Sequence, residues 1–372
     1  MILRVQRMYI ADFLKVLLVL TLGMSSLFGI LSIIDKLEEF MPYRPAFHLL
    51  LTYALAGIPR YVIYFMPMTI LLSSLFIFSQ AVKRREIVAI KTSGGRMKAM
   101  LTPFVALGVL LTLTGFILGE FVVPVTAKKV RATAAEITGR SKKTAFFREG
   151  SLYIRGKDGS VVKISLFLPS QNISKGISIF KFNEEGLTER IDAETGSWEN
   201  NAWKLRNIQV YDLATGKVSK LKEMVYGAIE SPKIFSEDAV KVEEMTLTEL
   251  IRYKNRLAEA GFRNAKLSVD LSSRLSYPIV NLFMLLLGIS LSIGGEQKGI
   301  EKILRIRIHG TPANAGVLSA GLGLLISVFY WLGYSFTLSL GYSGTVPPII
   351  APWIVPVIFS IVSLYLYCNI PE

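Results

Sequence analysis

Four stretches of the chain, Val16–Ile34, Tyr61–Val82, Ala99–Gly119 and Leu275–Gly295, carry no charged side chain. From Gly310 to Pro371 there is no charge at all. Each of the four is close to the roughly 20 apolar residues that a helix needs to cross a hydrocarbon core. The last run is longer, and "GYSGTVPP" (341–348), a turn signal, cuts it into two spans. Six transmembrane helices follow. A hydrophobic fraction of 51% over 372 residues agrees, because a soluble chain of this length has no reason to be so apolar. The first run outlasts a secretory h-region and leads into "DKLEEF" (35–40), with no small-residue cleavage pattern, so it reads as a retained anchor. With one cysteine, Cys368, no internal disulfide is available, and any outward domain must hold together by packing alone.

A net charge of +14 would suggest nucleic acid until its placement is considered. Arg4, Arg7 and Lys15 lie before or at the start of the first span. Lys83, Arg84, Arg85, Lys91, Arg96 and Lys98 lie between the second and third, and Lys298, Lys302, Arg305 and Arg307 between the fourth and fifth. The opposite short connections hold only Lys36, Arg44 and Arg60. The positive-inside rule therefore puts both termini and these loops in the cytoplasm, and topology accounts for the charge without nucleic acid. The segment from Val125 to about Arg274 then lies outside, since long domains translocate regardless of their charge.

That segment changes period. "SLYIR" (151–155) and "VVKISLF" (161–167) flank "GKDGS", where Asp158-Gly159 is a hairpin signal. "GISIFKF" (176–182), "LTERIDAET" (187–195), "WKLRNIQVYDL" (203–213) and "KVSKLKEMVY" (217–226) follow, separated by "NEEG" and "ATG" among other turns. Short alternating strands at regular spacing predict an antiparallel sandwich or open barrel. Thr246 with Glu249 fits a capping box for a helix over 246–261, with Gly261 as its stop. Such a domain is either an inert cap or a chute for something apolar, and composition leaves both open.

Enzyme chemistry finds little support. His48 and His309, the only histidines, fall on opposite sides of the expected membrane, so no histidine-based metal site or triad assembles within one chain. "GSLYIRGKD" (150–158) resembles a phosphate loop but has one residue too many between its glycines and no Ser or Thr after its lysine. No cofactor is called for, and energised work would need a partner that hydrolyses nucleotide.

The loop "KRREIVAIKTSGG" (83–95) is the one polar insert with a plan. Glu86 with Ile90, and Ile87 with Ile90, can share a face of a short helix that Gly94-Gly95 would end. Such a helix, with an exposed acid beside apolar side chains, suits a groove on a cytosolic partner. Its plainer alternative is a solvated positive-inside loop.

"REIVAIKTSGG" (85–95), followed by a span ending "GEFVVP" (119–124), resembles the LptF/LptG permeases of lipopolysaccharide export, also called the YjgP/YjgQ family. The resemblance continues in "FFREGSLYIR" (146–155), "IDAETGSWENNAWKLRNIQVYDL" (191–213), "RLSYPIVNLFMLLLGISL" (274–291) and "GTVPPIIAPWIVPVIF" (344–359), in order over essentially the whole chain. "IIDKL" (33–37) is more like the LptG member. The resemblance implies an α-helical membrane protein of six spans (3+3) with a periplasmic β-jellyroll inserted after the third. The expected division is 1–124 with a coupling helix at about 82–95, then 125–265, then 266–372. It further implies a multi-pass inner-membrane protein paired with a second such permease. A cytosolic LptB-type ATPase dimer and a single-span LptC-type protein complete the expected assembly. The coupling residues carried over or adjacent are Arg85, Glu86, Ile87, Ile90 and Gly94, with Arg85 serving either topology or docking.

A multi-chain lipid loses about 0.8 kcal/mol for each CH₂ exposed to water, so its route must stay apolar throughout. Its phosphates call for cations at the outer surface. "AKKVRATAAEITGRSKK" (127–143) supplies Lys128, Lys129, Arg131, Arg140, Lys142 and Lys143, while Lys36, Arg60 and Arg274 sit at the ends of spans. We take Lys36, Arg60, Lys128, Lys129, Arg131 and Arg274 as the substrate set, against the alternative of phospholipid headgroup anchoring. In the family, a basic residue at the position matching Arg131 belongs to the substrate rim. The chain departs from the pattern at Ser32, where some LptG proteins carry lysine. Glu120 is expected to pair structurally, with Arg60 or Arg131 as candidates. The rival readings are a permease of another lipid or lipoprotein exporter, and a membrane-anchored scaffold or sensor that needs no ATPase.

Overall fold

Backbone in hydrocarbon must satisfy its N–H and C=O groups internally, which drives apolar runs into helices, whereas the alternating middle segment can form a sheet in water. The computed structural model describes residues 2–138, 145–148, 151–156, 158–168, 173–183, 186–199, 202–213, 216–229, 242–259, 265–294 and 315–370. They divide into a helical unit, Met1–Thr138 with Ala265–Glu372, and a β unit, Gly139–Asn264.

The helical unit contains α1 (Ile2–Asp35), α2 (Leu37–Phe40), α3 (Phe47–Lys83), α4 (Glu86–Thr92), α5 (Met97–Ile117) and α6 (Val123–Ile137). After α7 (Leu247–Glu259), which belongs to the β unit, come α8 (Ala265–Gly294), α9 (Ala315–Ser343) and α10 (Ile354–Cys368). Six helices are long and apolar enough to cross a membrane among the described residues, as the charge-free runs predict. A π-helical turn at Leu118–Val122 joins α5 to α6 as one span from Met97 to Ile137. Helix α6 thus continues the third span to Ile137, and the helical unit runs on to Thr138.

Helices α3 and α8 form the centre; α1, α6 and α9 pack on α3, and α5 and α10 pack on α8. Lipid gives little hydrophobic drive for this association, so close backbone approach matters. At Gly288 an added Cβ would lie 1.8 Å from Ser74 Oγ and 2.9 Å from Ser74 Cβ, so only glycine allows α3 and α8 to meet here. At the end of α8 far from α4, Ser272 Oγ donates to the Ile349 carbonyl at 2.7 Å and accepts from Trp353 Nε1 at 3.0 Å. That pair of bonds ties the chain just past the "GYSGTVPP" turn to the centre of the bundle.

The β unit is one antiparallel meander. Strands β1 (Ala145–Arg148), β2 (Ser151–Arg155), β3 (Val161–Leu168), β4 (Ile173–Asn183), β5 (Gly186–Glu199), β6 (Ala202–Asp212) and β7 (Val218–Tyr226) pair in sequence order. Side chains alternate as expected of a half-buried strand: Val162 and Ile164, Ile177 and Ile179, and Ile191 and Ala193 all point into the core. The alternation slips along one line. Inward positions jump from Ser174 to Ile177, from Ala193 to Gly196 and from Leu205 to Ile208. Ladder pairing is interrupted at the same place, around Ser165, Gly176, Glu194, Asn207 and Lys222 on β3 to β7. Gly176 and Asn207 on that line have φ of 64° and 53°, a left-handed conformation open to glycine and tolerated by asparagine.

This line bends the sheet over on itself. Val161 and Phe180 lie at one end of their strands and Tyr226 and Trp203 at the other. Yet Tyr226 Oη donates to Asp158 Oδ2 at 2.6 Å, and Lys181 Nζ lies 6.0 Å from the Tyr226 ring. Phe167 of β3 and Trp203 of β6, separated by two strands in the ladder, bring their ring centroids to 6.5 Å. In place of a separate second sheet, as in the expected sandwich, one antiparallel sheet is creased over on itself, with its inner face filled by its own side chains such as Trp203, Leu205 and Ile179. Burial raises the Asp158 pKa, but bonds from the Ser160 hydroxyl, the Tyr226 hydroxyl and the Ser160 amide outweigh it and hold the carboxyl below its usual range. Tyr226 is pushed up to about 12, first by burial and then by its bond to Asp158.

The capping box forms at the start of α7: the Thr246 amide donates to Glu249 Oε2 at 2.9 Å, and the Glu249 amide to Thr246 Oγ1 at 3.3 Å. Gly261, Arg140, Lys142, Lys143, His309 and the basic loop of Lys298, Lys302, Arg305 and Arg307 lie outside the described residues.

Candidate functional site: the α4 elbow and the far rim

Helix α3 ends at Lys83, and the chain turns at Arg85, which adopts a left-handed φ of 57°. That conformation costs a non-glycine residue about 1 kcal/mol, so the surrounding contacts must enforce it. Helix α4 follows at once and stops in a Schellman turn. The Gly95 amide donates to the Ile90 carbonyl at 2.9 Å, the Gly94 amide donates to the Lys91 carbonyl at 3.0 Å, and Gly94 has φ 79°. A Cβ on Gly95 would meet Ile90 Cγ2 at 2.8 Å, which explains the second glycine. The short helix and its glycine stop are as the spacing predicts.

The orientation of α4 corrects one expectation. Ile87 is buried in the same core as Phe13, Phe78, Met97 and Phe104, and Ile90 packs against that core. Ile87 leaves no apolar surface for a partner and Ile90 is half-buried, because the helix uses this face to seat itself on the bundle. The outward face consists of Arg85, Val88, Ala89, Thr92, Ser93 and Gly94, with Glu86 half-buried at the margin. One oxygen of Glu86 accepts a hydrogen bond from the Tyr9 hydroxyl of α1, and the other lies 3.9 Å from Arg84 Nη1. Arg84 is two-thirds exposed, so solvent screens that contact and it adds little.

Tyr9 is the residue that sequence reasoning missed. It is 5% exposed and stacks on Phe78 with ring centroids 6.0 Å apart. Gln6 and Phe13 share its face: Gln6 Nε2 donates to the Ala99 carbonyl at 2.9 Å, and Phe13 packs edge-on to Phe104 at 6.3 Å. A signal was present. Gln6, Tyr9, Phe13 and Leu17 recur at three and four residues, a helical stripe that opens with two polar groups.

The rim residues at the opposite end do not share one environment. Lys128 and Lys129 are exposed on α6, and Arg131 is half-buried one turn on from Lys128. Arg60 is exposed on α3. Lys36 bonds Glu39 at 2.7 Å within a solvent-facing turn, a contact that leaves its charge accessible. Arg274 is different. Its Nη1 lies 3.7 Å from Glu120 Oε2, with side chains 20% and 13% exposed. A carboxylate in a largely water-free setting already offsets its guanidinium, which sets it apart from the rest of the substrate set. Glu120 itself stands in the π turn between α5 and α6, which sets its side chain toward α8. Among the described residues no cluster of His, Cys, Asp and Glu could hold a metal ion.

The chain is similar to known proteins over nearly its full length. A family profile described as "Lipopolysaccharide export system permease LptF/LptG" matches residues 7–369. Relatives include the lipopolysaccharide export system permease protein LptG of Escherichia coli strain K12 and that of Escherichia coli O6:H1. Each is 25% identical over 327 residues, covering 84% of this chain and 84% of the relative. Six spans, the creased β unit and the α4 elbow all fall within the matched region, and the chain belongs to the LptF/LptG family of lipopolysaccharide export system permeases.

Proposed function

We propose that this permease is one membrane subunit of an ABC exporter that draws lipopolysaccharide out of the inner membrane and hands it to a periplasmic bridge leading to the outer membrane. A second LptF/LptG-type permease completes the cavity, an LptB-type ATPase dimer supplies hydrolysis from the cytosol, and an LptC-type single-span protein receives the lipid. The α4 end faces the cytoplasm, in keeping with the basic residues of its loops, and the β unit lies in the periplasm.

One observation carries this reading. A short helix is seated rigidly on the bundle by Ile87 and Ile90, yet keeps a carboxylate, Glu86, at its solvent margin. A surface that is stiff behind and charged in front suits a partner that must push as well as bind. ATP-driven closure then presses α4, moves the spans it rests on and narrows the lipid cavity. At the other end Lys36, Arg60, Lys128, Lys129 and Arg131 meet the lipid phosphates, while Arg274 keeps α8 registered to the third span through Glu120.

The direct test is co-purification of the ATPase with the tagged permease pair. Glu86→Lys is expected to abolish recovery of the ATPase while the permeases still assemble. Full recovery with lipid-stimulated ATP hydrolysis intact would overturn the docking assignment.

A further inference from the structure

We propose that Tyr9 is a positioning residue of the coupling device, acting through Glu86 to transmit force from α4 to the inner end of α1. This rests on the reading above, in which α4 docks an ATPase. Three observations support it. The Tyr9 hydroxyl has Glu86 as its acceptor, and the ring is 5% exposed, so the donor is aimed at a chosen partner and not at water. The ring stacks on Phe78 of α3, which fixes where the hydroxyl sits. The neighbouring turns of α1 are fastened to the start of α5 by Gln6 with the Ala99 carbonyl and by Phe13 with Phe104.

The chemistry divides the carboxylate in two. The neutral Tyr9 hydroxyl occupies one oxygen without cancelling the charge, so the carboxylate remains an anion for a cationic side chain of the partner. Among the described residues the second oxygen meets an exposed arginine in a screened contact, and a better-placed partner cation can displace it. A carboxylate clamped through one oxygen has fewer rotamers to lose when the other is engaged, so docking costs less entropy. The clamp comes from a different span than the helix that bears it. A thrust on Glu86 therefore reaches α1 directly through a hydrogen bond to a charged acceptor, and not only through packing.

The experiment uses the complete permease–ATPase complex in nanodiscs and compares Tyr9→Phe, Glu86→Gln and the double variant. Phenylalanine keeps the ring and its stack and removes only the donor. Loss of a hydrogen bond to a charged acceptor in Tyr9→Phe is expected to weaken ATPase binding by about tenfold. It should also reduce lipopolysaccharide release per ATP hydrolysed. In the Glu86→Gln background, which lacks the anion, the same change should alter binding less than twofold. Spin labels at exposed Arg7 of α1 and Val88 of α4 give a second readout, with a broadened distance distribution in Tyr9→Phe. Equal tenfold losses in both backgrounds would assign Tyr9 a general structural role and overturn the proposal. Unchanged binding, coupling and distances in Tyr9→Phe would overturn it too. If Glu86→Lys leaves the ATPase bound, the docking assignment fails instead, an outcome distinct from either.

Discussion

The two ends of the helical unit each place an acid beside basic residues, and they use it in opposite ways. At the α4 elbow a neutral tyrosine holds Glu86, and the nearby Arg84 is exposed and weakly engaged. At the far rim Glu120 lies against Arg274 with both side chains mostly buried, so the charges cancel locally. A clamp made by a neutral donor leaves net charge for a partner, whereas a buried ion pair presents almost none. Counting acids and bases along the sequence does not separate these cases. The identity of the third group, tyrosine or guanidinium, does.

The comparison can be broken at its strongest point by removing each acid. Glu120→Ala takes away the carboxylate that offsets Arg274 and should destabilise the bundle by about 3 kcal/mol, seen as a fall in thermal unfolding temperature in detergent. Glu120→Gln combined with Arg274→Gln should recover much of that loss. Glu86→Gln should leave the unfolding temperature within about 1 °C, because its surroundings are partly solvated. Equal destabilisation at both ends would show that the elbow acid is a structural ion like its counterpart.

A second experiment sharpens the account of the rim. Charge reversal at Lys128 and Arg131 together should lower photo-crosslinking of lipopolysaccharide near the first span by several-fold, whereas Arg274→Gln should lower it little. If Arg274→Gln has the larger effect, the guanidinium serves the substrate despite its carboxylate partner.

The smallest expected effects concern the crease of the β unit. Tyr226→Phe removes one donor from Asp158 and should cost about 1 kcal/mol, measurable by urea unfolding followed through tryptophan fluorescence. Because Asp158 is held below its ordinary range, its contribution is complete above the unfolded-state value of 3.8 and is lost as pH falls through the lower folded-state value. Tyr226 runs the other way: its contribution is complete below 10.0 and is lost as pH rises through about 12. Tyr226→Phe should flatten both limbs of the stability–pH curve. An unchanged profile would mean that side-chain packing alone closes the roll.

Much of this protein was legible from its residues. Charge-free length demands spans because unsatisfied backbone and charge are prohibitive in lipid, and that physics is local to each segment. The strands from "SLYIR" to "KVSKLKEMVY" were found by period-two alternation and turn residues, which are also local. The glycine pair closing α4 and the Thr246–Glu249 cap belong to the same class, since their partners lie within five residues. Tertiary structure alone decided the rest. Ile87 and Ile90 could equally have faced a partner or the bundle, and only the position of Phe13, Phe78 and Phe104 settles which. Tyr9 meets Glu86 across 77 residues and Arg274 meets Glu120 between the third and fourth spans. Gly176 and Asn207 allow the crease of the sheet, but only the contact of Tyr226 with Asp158 across it shows that the sheet folds back on itself. Such pairings depend on how spans and sheet halves are brought together in space, and a linear pattern with a period of two or 3.6 carries no record of it.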